Sequence, residues 1–270
     1  MELTRYENAY APHLCALLEG DRYAFAVLGS IISGKMGVVS RIVTDNARLL
    51  LAYTCHPFPA WTWTHEGATQ EEMAFAWKLM REELPPEEGF CFNVREQLAA
   101  YIMSREDGQA MRVHRNLNAY RCEQVIAPKK AAEGDYCAVG REMLQLAASW
   151  SQAMSEETNL DLRPYSMHEE EIGAFIDRKR LFMWKTPEGV PVAMCSVQDE
   201  DGVGYVSHVY TSPEHRRRGY AAQLVYCVTK AMLAQGIRAG LYTDANYPPS
   251  NACYQQIGYV KEDAVCTIGL

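Results

Sequence analysis

One stretch near the C-terminus constrains this chain more than any other part of its sequence. An apolar, β-branched run at Val206–Thr211 is typical of a strand, and apolar residues recur at helical spacing after Gly219. Between the two stand three consecutive arginines, Arg216, Arg217 and Arg218. A strand that turns at a glycine into a helix leaves unpaired amides at the helix N-terminus, where the helix dipole adds about half a positive charge. The pattern therefore predicts a binding site for phosphate groups.

Two motifs in this part of the chain resemble those of one enzyme family. The sequence Arg-x-x-Gly-x-Ala, which begins at Arg216, resembles the signature Arg/Gln-x-x-Gly-x-Gly/Ala with which GNAT acyltransferases bind the pyrophosphate of acyl-CoA. The sequence Asn-x-x-Tyr-x-x-x-Gly-Tyr, which begins at Asn251, resembles the family's second segment. The motifs occur in the family's order, with a helix and a strand expected between them. We therefore expect a catalytic GNAT domain with a mixed α/β sheet at residues 135–270.

The resemblance implies that this domain binds an acyl-CoA, with acetyl-CoA as the expected cosubstrate and no metal. The backbone of the strand would pair with the pantetheine arm as an added strand does. Asn246 is expected in a loop and Asn251 at a helix cap, where both would contact the cofactor arm, although Asn251 could also be a plain N-cap. The expected cofactor-binding residues are Val209, Tyr210, Thr211, Arg216, Arg217, Arg218, Gly219, Tyr220, Ala221, Asn246 and Asn251.

Acyl transfer from a thioester to an amine needs a neutral amine, a stabilised oxyanion and a protonated leaving thiolate. The resemblance gives Tyr254 the role of the general acid that protonates the sulfur. The alternative for Tyr254 is a phenol that only packs against the cofactor.

The sequence defines the general base less well. Histidine ionises near neutral pH, which makes His208 a candidate. Strict alternation along the strand turns His208 away from the face of Ser207 and Val209, so that a bulge is needed to re-aim it. The other candidates are Glu156, Glu157, Asp244 and a chain of waters.

The sequence divides at Ala127–Gly134, a stretch rich in turn formers and charge. We expect an accessory domain at residues 1–127 and the GNAT domain at residues 135–270. The patterns in the first half predict strands at 49–54, 61–64 and 113–125 and helices at 70–83 and 94–103. This content fits a degenerate GNAT-like fold without a CoA site, because the first half lacks an Arg/Gln-x-x-Gly-x-Gly/Ala segment. The alternative is an unrelated α/β domain that shapes the acceptor site or a dimer interface.

Composition limits the class of protein and its partners. The apolar fraction of 48% and charged fraction of 22% are typical of a globular protein, and no apolar run reaches the ~18 residues of a membrane helix. The nine cysteines lack the spacing of zinc or disulfide sites, which favours a reducing cytoplasm. A net charge of −8 argues against nucleic-acid binding. We expect a small-molecule amine as acceptor and no membrane partner. A homodimer is compatible with the sequence.

One further motif is a false match. Gly29–Lys35 fits the first seven positions of a P-loop, but Met36 stands where a serine or threonine should hold magnesium. A strand is expected after Met36 instead of the required helix. The motif therefore does not predict nucleotide hydrolysis.

The sequence predicts an acetyl-CoA-dependent N-acetyltransferase that transfers the acyl group directly from the thioester to a small amine. One alternative is an acyltransferase that uses a longer acyl-CoA, similar to glycine acyltransferase-like tandem proteins. Another is a non-catalytic CoA-binding module.

Overall fold

The computed structural model describes residues 2–158, 163–200 and 202–270. It contains two compact units: the first comprises Met1–Tyr120, Thr243–Pro248 and Lys261–Leu270, and the second comprises Arg121–Tyr242 and Pro249–Val260. Neither unit is one continuous segment, because the end of the chain belongs to the first unit. The division into residues 1–127 and 135–270 stays a prediction. None of the helices in the described segments has the length and hydropathy that a membrane span requires.

The first unit is built on a mixed sheet with three helices. Its strands are β1 (Thr4–Ala9), β2 (Ser40–Thr44), β3 (Leu49–Tyr53), β4 (Ala60–Thr64), β5 (Cys91–Arg95), β6 (Arg112–Cys122) and β12 (Val260–Gly269), and its helices are α1 (Ala26–Ser33), α2 (Gln70–Glu83) and α3 (Glu96–Met103). The strand order is β1-β2-β3-β4-β5-β12-β6. Strands β1 to β4 are antiparallel, β4 and β5 are parallel, and β12 is antiparallel to β5.

The second unit repeats this plan. Its strands are β7 (Asp135–Ala138), β8 (Leu181–Lys185), β9 (Pro191–Glu200), β10 (Val203–Thr211) and β11 (Arg238–Asp244), and its helices are α4 (Leu144–Thr158), α5 (Tyr165–Asp177), α6 (Tyr220–Ala234) and α7 (Pro248–Gln256). Strands β7 to β10 are antiparallel, and β10 and β11 are parallel.

The two halves of the chain have the same sequence of elements. In each half one strand and a helical segment precede three antiparallel strands, and a helix, a parallel strand, a helix and a last strand follow. The predicted repeat of one α/β fold in both halves is therefore confirmed by the strand pairing. The false P-loop motif has no loop to form, since Gly29–Ser33 lies inside α1.

One predicted element was wrong in its first residues. The sequence predicts a helix over residues 94–103, whereas the helix α3 begins at Glu96 and Val94 belongs to strand β5. Strand and helix follow each other without a loop at Arg95, so that one continuous apolar pattern covers both. Val94 is fully buried and pairs with Cys266 of β12, a partner distant in the sequence.

Helices cover both faces of the sheet in the second unit. Tyr210 of β10 and Met194 of β9 lie in one buried cluster with Trp150 of α4 and Phe175 of α5. On the other side, a Cβ atom at Gly204 of β10 would meet the Met232 sulfur of α6. Strand β10 is therefore fixed between two helical layers, and a short 3-10 helix at Pro213–His215 and a glycine turn connect its C-terminal end to α6.

A buried ion pair network holds the first unit together. The Arg95 side chain is only 7% exposed and contacts the carboxylates of Asp21, at 2.6 Å, and Asp263. The Trp63 indole donates a hydrogen bond of 2.7 Å to Asp21, and the Arg95 guanidinium lies over the Phe25 ring. Because Asp263 lies on β12, the network ties the last strand of the chain to residues near its beginning.

We expect Arg95→Met to lower the free energy of unfolding of the first unit by about 3–5 kcal/mol, since it leaves the partly buried carboxylates of Asp21 and Asp263 without their cation. Arg5→Met is the matched control: Arg5 is half exposed and pairs with Glu83, and such pairs contribute about 1 kcal/mol or less. Urea denaturation of both variants checks the difference. Equal losses in the two variants would show that the Arg95 network is not a structural anchor.

Candidate functional site

Strand β10 has its parallel partner over only part of its length. The ladder with β11 joins Val203–Tyr205 to Arg238–Gly240, while β10 continues to Thr211. Within the described residues, the ladder on that side leaves the backbone groups of Val206–Thr211 unused. An extended ligand arm can pair with such groups as an added strand does. Val209 and Thr211, both expected to bind the cofactor, lie on this part of the strand.

The bulge that the sequence required is present in β10. The register with β9 shifts between Ser207 and Tyr210, and His208 has a left-handed φ of 49°. The Ser207 hydroxyl lies 3.4 Å from His208 Nδ1, so that the two side chains share one face of the sheet. Simple alternation would have placed them on opposite faces, and the extra residue of the bulge removes that difference.

The turn after β10 has the backbone geometry of an anion site. Gly219 precedes α6 with a left-handed φ of 85°, and no heavy atom lies within 4 Å of the position that a Cβ would take. The preceding Arg217 is also left-handed, with a φ of 61°, and both Arg217 and Arg218 are exposed. Tyr220 and Ala221 form the first turn of α6, whose N-terminus has no side-chain cap in the described structure.

The corresponding helix of the first half is capped by its own side chains. In α2 the Thr69 hydroxyl accepts a hydrogen bond from the Glu72 amide, and the Glu72 carboxylate accepts one from the Thr69 amide. Hydrogen bonds from Arg48 and from the Thr69 backbone lower the pKa of Glu72 to about 2. A carboxylate therefore already stands where α6 leaves its first-turn amides open. That the first half has no CoA site stays a prediction.

Arg216 is held by neighbouring groups. Its Nη2 atom lies 2.7 Å from Glu157 Oε1 and 2.9 Å from Oε2, and its Nε donates to the Thr211 carbonyl. The guanidinium also lies over the Tyr210 ring, at 5.2 Å from the centroid. Of the three consecutive arginines, Arg216 thus fixes the end of β10 to α4, while Arg217 and Arg218 extend from the turn.

Tyr254 lies on α7 in a buried, apolar position. Its side chain meets the Tyr259 ring edge to face, and Tyr259 in turn shares a 2.7 Å hydrogen bond with Thr229. Burial raises the pKa of the Tyr254 phenol well above its usual value. The phenol therefore keeps its proton at neutral pH, which a general acid for the leaving sulfur must do.

Asn251 was wrongly predicted as a helix cap. Helix α7 begins at Pro248, so that Asn251 lies in its second turn and is buried. The helix starts early because prolines at positions 248 and 249 suit a first helical turn, where the missing amide proton costs nothing. The predicted loop residue Asn246 is exposed, and its backbone amide donates to the Asp244 carboxylate in a local turn.

His208 is surrounded by polar groups from two elements. Its Nδ1 lies 2.9 Å from the Ser196 hydroxyl of β9, and its Nε2 lies 3.5 Å from Glu171 Oε2 of α5. The Phe175 ring packs edge to face against the imidazole. Burial acts to raise the pKa of Glu171, but His208 and Arg163 outweigh it and lower that pKa to about 2.

The other predicted base candidates have different partners. Glu157 holds Arg216 and accepts a hydrogen bond from the Tyr210 hydroxyl. Glu156 accepts a hydrogen bond from Gln152, and Asp244 accepts one from the backbone amide of Asn246. Glu171 and Ser196 have no distinguishing sequence signal, because an acidic run is usually solvated and a single serine in an apolar strand belongs to no motif.

The family comparison agrees with this geometry. Residues 143–259 match the model of the acetyltransferase (GNAT) family, a range that includes β10, the glycine turn and Tyr254. No curated protein sequence matches the chain.

Solved structures share the fold over nearly the whole chain. A GNAT-family acetyltransferase from Colwellia psychrerythraea is 13% identical, with 99% of each chain covered and a TM-score of 0.62. An N-acetyltransferase from Sphaerobacter thermophilus is 15% identical, with coverage of 98% of this chain and 94% of that chain and a TM-score of 0.65. A tandem GNAT protein from the clavulanic acid biosynthesis pathway is 12% identical, with coverage of 99% and 98% and a TM-score of 0.51. At these identities the likeness establishes the fold alone.

The matched residues form the second half of a chain whose two halves repeat the same strand and helix order. Residues 143–259 therefore form a domain that matches the GNAT acetyltransferase family, and the solved structures extend the likeness in fold to nearly the whole chain.

Proposed function

We propose that this protein is an acetyl-CoA-dependent N-acetyltransferase that transfers the acetyl group directly from the thioester to a small amine. The observation that carries the proposal is the left-handed, open Gly219 between β10 and an uncapped α6. Backbone amides at such a helix N-terminus bind the oxygens of a pyrophosphate, and the helix dipole favours its negative charge.

The substrate arm would follow from this anchor along β10. Arg217 and Arg218 would meet phosphate oxygens beside the turn. The pantetheine amides would pair with the backbone of Val209 and Thr211, beyond the end of the ladder with β11. Arg216 and Tyr210 would support this strand end, since both are joined to Glu157 of α4.

The reaction replaces a carbon–sulfur bond by a carbon–nitrogen bond. The neutral amine attacks the acyl carbon, an amide of β10 stabilises the oxyanion, and the thiolate leaves. Tyr254 would give its proton to the sulfur and regain one from solvent. Burial keeps this phenol in its protonated, donor form at neutral pH.

Acetyl-CoA should bind at one site per chain. The two halves share a fold, but the first turn of α2 is capped by Thr69 and Glu72, whereas that of α6 is open. Isothermal titration calorimetry with acetyl-CoA checks the stoichiometry, and a ligand at ~100 times its Kd should stabilise the protein by about 2.7 kcal/mol. Two equivalent sites, or none, would contradict the assignment.

Gly219→Val should abolish acetyl-CoA binding, because the side chain would occupy the space of the pyrophosphate. Gly89→Val is a closely matched control: Gly89 has a φ of 81° and equally open surroundings, but it lies between α2 and β5 in the first unit. Both variants carry the same backbone strain, so only loss of the site separates them. If both variants bind acetyl-CoA equally well by calorimetry, the turn is not the phosphate site.

Tyr254→Phe should lower kcat by about 10²–10⁴-fold with little change in acetyl-CoA affinity, because the phenol acts only on the departing thiolate. Tyr259→Phe is the control, since it removes a buried hydroxyl bonded to Thr229 in the same cluster. Thiol release measured across a panel of amines gives kcat and the KM for acetyl-CoA. Unchanged turnover in Tyr254→Phe would leave the residue a packing role, and a panel without turnover would favour a non-catalytic CoA-binding module. If transfer from a longer acyl-CoA is faster in the same assay, the longer acyl-CoA is the donor instead of acetyl-CoA.

A further inference from the structure

A chain of hydroxyl groups leads from the open part of β10 to His208, whose side chain is 11% exposed. The Ser207 hydroxyl lies 2.7 Å from the hydroxyl of Ser196, which lies 2.9 Å from His208 Nδ1. Ser196 is fully buried, whereas Ser207 is partly exposed. At the far side of the ring, His208 Nε2 faces the carboxylate of Glu171 at 3.5 Å.

The direction of these hydrogen bonds follows from the carboxylate. An ionised Glu171 can only accept, so Nε2 carries the imidazole proton and Nδ1 presents its lone pair to Ser196. The Ser196 hydroxyl then donates to Nδ1 and accepts from Ser207. Each hydrogen bond in the chain is therefore donated in the direction from Ser207 to His208. The Ser207 hydroxyl oxygen keeps a lone pair that can accept from a further donor.

The position of Ser207 connects this chain with the proposed reaction. Ser207 lies between Tyr205, where the ladder with β11 ends, and Val209, which would pair with the cofactor arm. The bulge places Ser207 and His208 on one face, and both ring nitrogens of His208 face protein groups. His208 therefore cannot accept a proton from a substrate directly in this arrangement, although it can accept one through the two hydroxyls.

We propose that Ser207 and Ser196 relay the proton of the acceptor amine to His208, and that Glu171 is the positioning residue that holds the imidazole and balances the resulting imidazolium. The inference rests on the proposed function and extends it to the general base. It assigns Ser207 as the group that touches the amine, a role that the resemblance gives to no residue.

Protons balance in this scheme. An ammonium substrate loses one proton to Ser207, whose own proton moves to Ser196 while that of Ser196 moves to His208 Nδ1. The neutral amine then attacks, and its nitrogen loses a second proton to solvent as the amide forms. The thiolate gains one proton from Tyr254, which regains one from solvent, and the His208 imidazolium returns its proton to solvent through the same two hydroxyls, so that one proton is released per turnover.

Among the described residues, the charged groups that meet the His208 ring come from one side. Glu171 of α5 faces Nε2, and Arg163 pairs with the same carboxylate oxygen. The groups that meet the ring from β9 and β10 are the hydroxyls of Ser196 and Ser207, and Phe175 covers it. An imidazolium would therefore be stabilised by Glu171, while Arg163 keeps that carboxylate ionised.

The test compares pH profiles of kcat/KM for the amine, measured as thiol release. Ser207→Ala should lower kcat/KM by about 10²–10⁴-fold at neutral pH with acetyl-CoA KM unchanged. The loss should shrink as the pH approaches the point where the amine itself is neutral, which a purely structural defect would not reproduce. Ser207→Thr keeps the hydroxyl and should restore most of the activity.

Glu171→Gln should move the acidic limb of the profile to lower pH, because the imidazolium loses its anionic partner. Glu170→Gln is the matched control: it removes the same charge from an exposed neighbour on α5. Wild-type profiles for Ser207→Ala, with an active wild-type enzyme, would overturn the relay while leaving the proposed function intact.

A second measurement does not depend on turnover. Nitrogen NMR of labelled histidine should show the Nε2–H tautomer for His208 in the wild type, and Ser196→Ala should change the Nδ1 shift. An Nδ1–H tautomer would overturn the relay. A wild-type enzyme that binds acetyl-CoA, has this tautomer and yet acetylates no amine would instead contradict both the relay and the proposed reaction.

Discussion

The structure of the second half depends on an interruption in one strand. β10 pairs with β11 only at its start, and the bulge at Ser207–Tyr210 then shifts its register against β9. The end of the β11 ladder leaves the backbone groups on one side of β10 without a strand partner. The bulge places the His208 side chain on the same face of the sheet as Ser207. A regular strand would have kept both ladders and placed the histidine on the opposite face.

The end of the same strand determines the geometry of the glycine turn before α6. Glu157 holds Arg216, and Arg216 donates to the Thr211 carbonyl, so that α4 and the last residue of β10 are tied together. The turn then needs two left-handed residues, Arg217 and Gly219, before α6 can begin. A helix N-terminus positioned this way presents its amides to an anion with little reorganisation, which is the economical way to bind a highly charged ligand.

The two halves show how a repeated fold can differ at one helix N-terminus. Both place a helix after the strand that has a parallel neighbour, but only one of these helices has an open N-terminus. In the first half, Thr69 and Glu72 satisfy the amides, and Arg48 holds Glu72 in place. A side-chain carboxylate there gains the same dipole interaction that a phosphate would gain, so that the first turn of α2 is satisfied by the chain itself.

The sequence by itself determined the elements whose signals are local. The bounds of α2 and α6 follow from a capping box and a glycine turn, and the Arg216 and Asn251 motifs indicated the family. The start of α7 and strand β5 were missed, since prolines and a strand joined directly to a helix obscure the boundary. Only the tertiary structure decided that Glu171 and Ser196 meet His208, because these residues lie on separate elements and come together through sheet register and helix packing. Cross-strand and helix-to-strand contacts carry no fixed sequence spacing, which is why the relay could not be inferred before the fold was known.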